Sequence, residues 1–391
     1  MSNFNFATIS SHGKSLFNFI LKRVQQYLLK VLCNLKKIKL SDYLRFILLV
    51  IILTLAFVIR IYNIDMPLVD NQYFRQNYDA GYAKNYYLGD MNPFLPHIVY
   101  RGDDYNEVNE FPFHAYLSAC IYCFKGINVL WGRYLSVVCS VLSILMMYLL
   151  VKKHSSIRIA LITILLLSIS PIYVYYGRCF IRHPMVVLSM ITTLYIFSLW
   201  TDDDKNYIYM MGICFFGALA GMMNPPALLI GLPMVYLSWK KYNYKFVLNL
   251  KLWIQVFLII GATYLWIKHA YKLSDFHNME EKGSLRNWSD PNYYLLWLNM
   301  DFFYAVFDTL RTIMLSPIGF IFFVIGIFVN KNKGEGLFLV WMIATFLYFA
   351  LDPYPIYIAP HTYYFLQLTP IMAFFAAKGI DLFLLPRETN D

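Results

Sequence analysis

Charge is scarce in this chain. Asp, Glu, Lys and Arg make up 14% of its 391 residues, against about 25% in soluble domains, while hydrophobic residues reach 59%, where roughly 45–50% is usual. That balance excludes an ordinary soluble domain and implies a membrane protein. Cysteine is sparse as well: Cys33, Cys120, Cys123, Cys139, Cys179 and Cys214 lie mostly inside apolar runs. Cys120 and Cys123 have C-x-x-C spacing, but no second pair or neighbouring His completes a zinc site, and no βαβ pattern surrounds them as a redox motif would require. They read as packing residues about one helical turn apart, and no disulfide framework is indicated. The formal net charge is +10, yet the bases do not gather into one patch and no nucleic-acid-binding motif occurs, which argues against a nucleic-acid partner. A domain-sized polar segment is also missing, so any chemistry must be built from loops and from the ends of apolar runs.

What the chain has instead is aromatic and apolar length. Tyr, Phe and Trp supply 19% of it, which suits rings placed at the two membrane–water interfaces. Residues 14–38 place Phe17, Leu21, Val24, Leu28, Val31, Leu35 and Ile38 three or four apart, with Lys22, Arg23, Lys30, Lys36 and Lys37 between them. This pattern predicts a basic amphipathic helix lying on a membrane surface within a cytoplasmic segment 1–42. A secretory signal is not expected, because the polar face interrupts any apolar core and no small-residue cleavage site follows. The first spanning run is 43–62, close to the ~20 residues needed to cross a bilayer. Others lie at 131–151, 157–176, 184–200, 207–223, 226–239, 252–270, 313–329, 336–351 and 362–380, which predicts an all-α polytopic protein of about ten spans. The run 112–125 is short and fits an interfacial or re-entrant helix. With the N-terminus cytoplasmic and 112–125 not crossing, the basic clusters at Lys152/Lys153, Lys205, Lys240/Lys241/Lys245, Lys331/Lys333 and Arg387 all fall inside, as the positive-inside rule requires.

Two long segments, 63–111 and 271–312, are then external. The first is rich in Tyr and Phe rather than Ser and Gly, which predicts an ordered loop; its tyrosines suit interfacial anchoring. Within it "RQNYDAGY" carries Arg75, Gln76 and Asp79, followed by Arg101 and Glu110. "YYGRCFIRHP" supplies Arg178, Arg182 and His183, and "APHTYYFLQLTP" supplies His361, Tyr363 and Tyr364. All belong to one predicted face. A carboxylate beside guanidinium and imidazole groups suits a reaction in which a hydroxyl loses a proton to the carboxylate while a phosphate, neutralised by Arg and His, departs.

These segments resemble the membrane-embedded C-fold glycosyltransferases, in particular the bacterial relatives of family 39, the protein O-mannosyltransferase-like enzymes. "RQNYDAGYAKNYYLG", "EFPFHAYLSACIYCFKG", "GRYLS", "SPIYVYYGRCFIRHP" and "HTYYFLQLTP" occur in the family's order. The resemblance runs from about Arg60 to Trp200 and again over 359–380; residues 201–358 match only as apolar spans. It implies a single transmembrane glycosyltransferase domain over 43–386, without a separate soluble C-terminal domain, on the bacterial inner membrane. It also implies a polyprenyl-phosphate sugar as donor and a glycan, lipid or protein hydroxyl as acceptor. Asp79 is implied as the catalytic carboxylate and Glu110 as a second acid that contacts acceptor or braces the loop. Arg178 and His361 are implied as phosphate contacts, and Arg75 and Gln76 as residues that hold the loop or touch sugar. Where the family commonly has an acid about five residues beyond the Gly-Arg step, this chain has His183, preceded by Arg182. The missing carboxylate weakens any two-carboxylate metal site, and a divalent ion is neither required nor excluded by these residues. The alternative function is a transporter or flippase of a lipid-linked sugar, for which acids or broken helices at mid-membrane are expected; neither is evident.

Overall fold

The computed structural model describes residues 40–98, 108–274, 299–329, 334–351 and 361–384. The predicted amphipathic segment, Arg101, Lys331, Lys333, Arg387, and Asp275, His277, Glu280 and Glu281 of the second long segment lie outside the described residues. The chain divides into two units, Met1–Ile51 and Ile52–Asp391. In the first, the described residues are the opening turns of helix α1 (Leu40–Ile61), where Arg45 pairs with Asp42 at 3.1 Å. Everything below concerns the second unit.

Among the described residues every regular element is helical, in keeping with an all-α, multi-pass membrane protein. Four of the described helices are long and apolar enough to cross a bilayer: Asp42–Ile61 within α1, α4 (Val129–His154), α7 (His183–Asp202) and α10 (Leu250–Leu273). The other apolar runs also contain helices, but shorter ones: α5 (Ile157–Ile169) with α6 (Pro171–Tyr176), α8 (Tyr207–Met223), α9 (Gly231–Tyr242), α13 (Gly336–Leu351) and α14 (Thr369–Leu384). Two amphipathic pieces precede α4. They are α2 (Tyr73–Leu88) and α3 (Phe113–Lys125), the latter too short to span, as its sequence suggests.

Prolines explain where runs that look continuous are broken. Pro171 has no N–H to give the Leu167 carbonyl four residues back, so α5 ends and α6 starts anew. The orphaned acceptors are taken by Arg60, fully buried at the end of α1. Its Nη2 donates to Leu167 O at 3.4 Å and Tyr173 O at 3.2 Å, its Nη1 to Ser168 O at 3.2 Å and Ala56 O at 2.9 Å, and its Nε to Ser140 Oγ at 2.9 Å. Gly177 is required beside it, because a Cβ there would lie 2.6 Å from Arg60 Nε and 2.7 Å from Ser140 Oγ. The run 313–329 is longer than its sequence suggests. Asn299 caps a helix, α11 (Met300–Thr309), inside the stretch read as loop, and a π-turn (Leu310–Met314) extends it. The chain then bends by 107° into α12 (Ser316–Phe328). Pro317 disfavours the α conformation at Ser316, which adopts φ 66° at the bend. Helices α12 and α14 cross at their backbones: a Cβ on Gly326 would strike the Phe375 carbonyl, and one on Gly379 the Phe322 carbonyl.

Candidate active site

Helix α2 carries the first half of the site because its buried face repeats at helical spacing: Gln76, Asp79, Tyr82, Ala83 and Tyr86. Tyr78, Tyr82 and Tyr86 pack with Ala115, Ala119 and Tyr122 of α3 and with Phe180. The expectation that these tyrosines anchor the helix at an interface is therefore corrected for all three, which form a core between α2 and α3. Only the exposed Tyr73 keeps the outward position that anchoring needs. Gln76 is a strut: Nε2 donates to Asp70 Oδ1 at 2.5 Å, and Oε1 accepts from Phe180 N at 3.3 Å. Arg133, at the start of α4, fixes the chain ahead of α2 by donating to Ile64 O at 2.7 Å and to the Met66 carbonyl.

The turn between α6 and α7 brings Arg182 onto Asp79. Arg182 N donates to Asp79 Oδ2 at 3.2 Å, and its guanidinium pairs with both carboxylate oxygens. Each side chain is 1% exposed. On its other edge Arg182 Nη1 donates to Glu110 Oε2 at 3.3 Å and Glu110 O at 3.2 Å, while Arg75 Nη2 donates to Glu110 Oε1 at 3.1 Å. The result is a chain of alternating charge, Asp79–Arg182–Glu110–Arg75. Glu110 is held there by backbone straps on both sides. Phe111 N donates to Met222 O at the end of α8, and Trp266 Nε1 of α10 donates to Asn109 O at 3.1 Å. The inner end of the charge chain is sealed, whereas Arg75 and Glu110 remain 14% and 22% exposed.

Electrostatics follow from this arrangement. Burial alone would push the Asp79 carboxyl up, but Arg182, aided by Arg75, outweighs it and holds the group below 3.8. Glu110 is pulled down to about 2 against the same burial penalty by Arg75 and Arg182. His114 of α3 is pushed down to about 4, chiefly by burial; its Nε2 is 3.0 Å from Ser136 Oγ. Beside the open end lies an aromatic group. The His183 ring is 4.3 Å from that of Tyr363, the His361 ring lies parallel to Tyr363 at 5.3 Å, and Arg75 stands over Tyr363 at 6.0 Å.

Arg75, Asp79, Glu110 and Arg182 are thus joined directly, with His183, His361 and Tyr363 alongside, and Gln76 supports them from behind. Arg178 points elsewhere: its Nη1 donates to Tyr62 O at 2.7 Å, and the guanidinium lies over Tyr175. Arg101 falls outside the described residues. His114 and Arg133 were not singled out from the sequence, although each is an ionisable group in an apolar helix, the signal that marks a role inside a membrane protein. Among the described residues no three His, Cys, Asp or Glu side chains cluster as metal ligands. The two carboxylates do not fit a divalent ion as arranged, because Arg182 lies between them and supplies the positive charge.

Residues 109–267 match the family described as dolichyl-phosphate-mannose-protein mannosyltransferase. No curated protein sequence matches the chain. Among solved structures, the fold is similar to that of ArnT from Cupriavidus metallidurans bound to undecaprenyl phosphate, with a TM-score of 0.58 and 16% identity over 88% of this chain and 61% of that one. It is also similar to the archaeal oligosaccharyltransferase AglB from Archaeoglobus fulgidus in complex with an inhibitory peptide and a dolichol-phosphate, with a TM-score of 0.57 and 14% identity over 88% of this chain and 51% of that one. The chain therefore spans about three-fifths and one-half of those proteins. At such identities the likeness is one of fold, and the fold is that of the C-type membrane glycosyltransferases, with a family 39-like resemblance over 109–267.

Proposed function

We propose that the chain is an integral-membrane glycosyltransferase that moves a sugar from a polyprenyl-phosphate donor to an acceptor hydroxyl on the external face of the inner membrane, with inversion at the anomeric carbon. The observation that carries this reading is the charge chain Asp79–Arg182–Glu110–Arg75, drawn from three segments far apart in sequence and open at one end beside His361 and Tyr363. The acceptor oxygen bonds to the anomeric carbon as the bond from that carbon to the phosphate oxygen breaks. Arg182 covers Asp79 at rest, so the acceptor reaches it as Arg182 swings toward Glu110; the hydroxyl proton then passes to Asp79, and the phosphate leaves with the electron pair. A carboxylate held at low pKa is a weak base toward a free alcohol. It therefore orients the hydroxyl in the ground state and takes the proton late, once the attacking oxygen has become acidic. Arg182 keeps Asp79 ionised and aimed. Arg75 and His361, at the open end, meet the departing phosphate. His183, in place of an acid, packs against Tyr363 and leaves the open end more positive, which favours an anionic donor.

The test is transfer from a panel of synthetic polyprenyl-phosphate sugars to membrane extracts by wild type and by Asp79→Asn. A drop of about 10²- to 10⁴-fold is expected, the usual worth of a positioned general base. Equal transfer by both proteins would remove Asp79 from the mechanism, and movement of the donor across the bilayer without transfer would replace the enzyme with a transporter.

A further inference from the structure

Away from the charge chain, a cavity of about 330 Å³ lies between α8, α9 and α10, lined by Gly217, Gly231, Val235, Gln255, Val256 and Ile259 among other residues. Its rim is exposed at Val235, Trp253 and Val256, so it opens sideways, where a membrane protein meets lipid. Gln255 is 1% exposed, and neither its amide nitrogen nor its amide oxygen has a hydrogen-bond partner. An unpaired amide in a water-poor interior is costly, which implies that something absent from the bare protein pairs with it. Water is a poor candidate, because a held water needs two to four polar partners. The other polar side chain on the wall, Ser238, already donates its hydroxyl to Met234 O at 2.9 Å.

Depth narrows the choice. Gln255 lies five residues into α10, roughly 7.5 Å along the axis at 1.5 Å per residue. The helix begins at the end of the bundle that carries Lys240, Lys241, Lys245 and Lys251. A headgroup layer is about 5–7 Å thick on each side of the hydrocarbon core. With Leu250 placed at the outer edge of the headgroup layer, Gln255 sits just beneath the headgroups, at the level of the ester carbonyls of a glycerophospholipid. A polyprenyl chain offers no acceptor at that depth; an ester carbonyl does.

We infer that the cavity between α8, α9 and α10 is a binding slot for one acyl chain of a glycerophospholipid, on whose entry the Gln255 amide, closed off in the bare protein, turns to the lumen and donates from Nε2 to the ester carbonyl. The slot stands apart from the charge chain, so it holds or fails independently of the proposed transfer reaction. Gly231 provides a plug, since a Cβ added there meets nothing within 4 Å.

The experiment is native mass spectrometry of the full chain in detergent, titrated with dioleoylphosphatidylglycerol and with its diether analogue, which lacks the carbonyls. Wild type should retain the diester about threefold better than the diether, the size of one net hydrogen bond. Gln255→Leu should hold the two alike, and Gly231→Leu should lower retention of both. Equal retention of diester and diether by wild type would overturn the hydrogen bond, and undiminished retention by Gly231→Leu would overturn the slot. Displacement of the bound diester by an equal concentration of polyprenyl phosphate would assign the slot to a polyprenyl chain instead.

Discussion

Among the described residues two arginines, Arg60 and Arg182, are at most 1% exposed, and they are solvated in opposite ways. Arg60 is surrounded by neutral oxygens, the carbonyls of Ala56, Leu167, Ser168 and Tyr173 and the hydroxyl of Ser140, with no carboxylate among its bonds. Arg182 is surrounded by charge: Asp79 on one edge and Glu110 on the other. Arg60 mends a helix break that Pro171 makes, so its work is finished once the chain has folded. Arg182 answers two ionised groups that have no structural need to be there, since two apolar side chains would fill the same space at less cost in desolvation. A buried arginine bonded to backbone points to architecture, and one bonded to acids that could have been omitted points to chemistry.

The contrast can be broken by experiment. The largest effect is expected from the double variant Asp79→Leu/Arg182→Met. Removing both charges together should leave the thermal midpoint in detergent within a few degrees of wild type, while transfer falls by at least about 10²-fold. Asp79→Asn alone, which strands a buried guanidinium beside one acid, should cost about 3–5 kcal/mol of stability. Failure of the double variant to recover that stability would make the pair architectural after all. Arg60→Met has no partner to delete, so no second substitution should rescue it. Orphaning carbonyls at the end of α5 should cost about 3 kcal/mol, read as a lowered unfolding midpoint, at about 1–3 kcal/mol for each unpaired group. Gly177→Ala, which crowds Arg60, should lose a smaller amount, about 1–3 kcal/mol, by overpacking.

Acidification gives an effect confined to low pH. Glu110 falls from 4.5 to about 2 in the folded protein. Its contribution to stability is complete above the unfolded value and disappears as the pH falls through the folded one. The unfolding midpoint should therefore drop between about pH 4.5 and pH 2, and Glu110→Gln should flatten part of that slope. The Arg60 region, with no carboxylate in its bonds, should contribute nothing to it.

The positions of the helices were largely legible in the sequence, because apolar length and basic clusters are properties of contiguous residues. The ten-residue helix α11 was not, since "MDFFYAVFDT" is too short and too polar to register as a span and depends on the cap that Asn299 supplies. In the site, the motifs pointed to one group of Arg75, Gln76, Asp79, Arg101, Glu110, Arg178, Arg182, His183, His361 and Tyr363, of which the fold joins Asp79, Arg182, Glu110 and Arg75 directly. What sequence order cannot convey is which side chain faces which. Arg178 and Arg182 are four residues apart and equally basic, yet the tight turn at Cys179–Ile181 sends one to the Tyr62 carbonyl and the other to Asp79. The tyrosines of α2 misled for a related reason, because a ring with a polar edge suits both an interface and a core in which hydroxyls meet, as those of Tyr78 and Tyr82 do at 3.1 Å.

The crossing of α12 and α14 carries a consequence of another kind. Gly326 and Gly379 each face a carbonyl of the opposite helix, so at these two points main chain meets main chain. A core of leucines can drift, one methyl group at a time, with neighbours adjusting. Here the smallest available step is a collision, and no single compensating substitution can move a backbone oxygen. A saturation library scored for correctly folded protein should return these two positions with glycine alone, making the crossing a fixed point around which the rest of the bundle is free to vary.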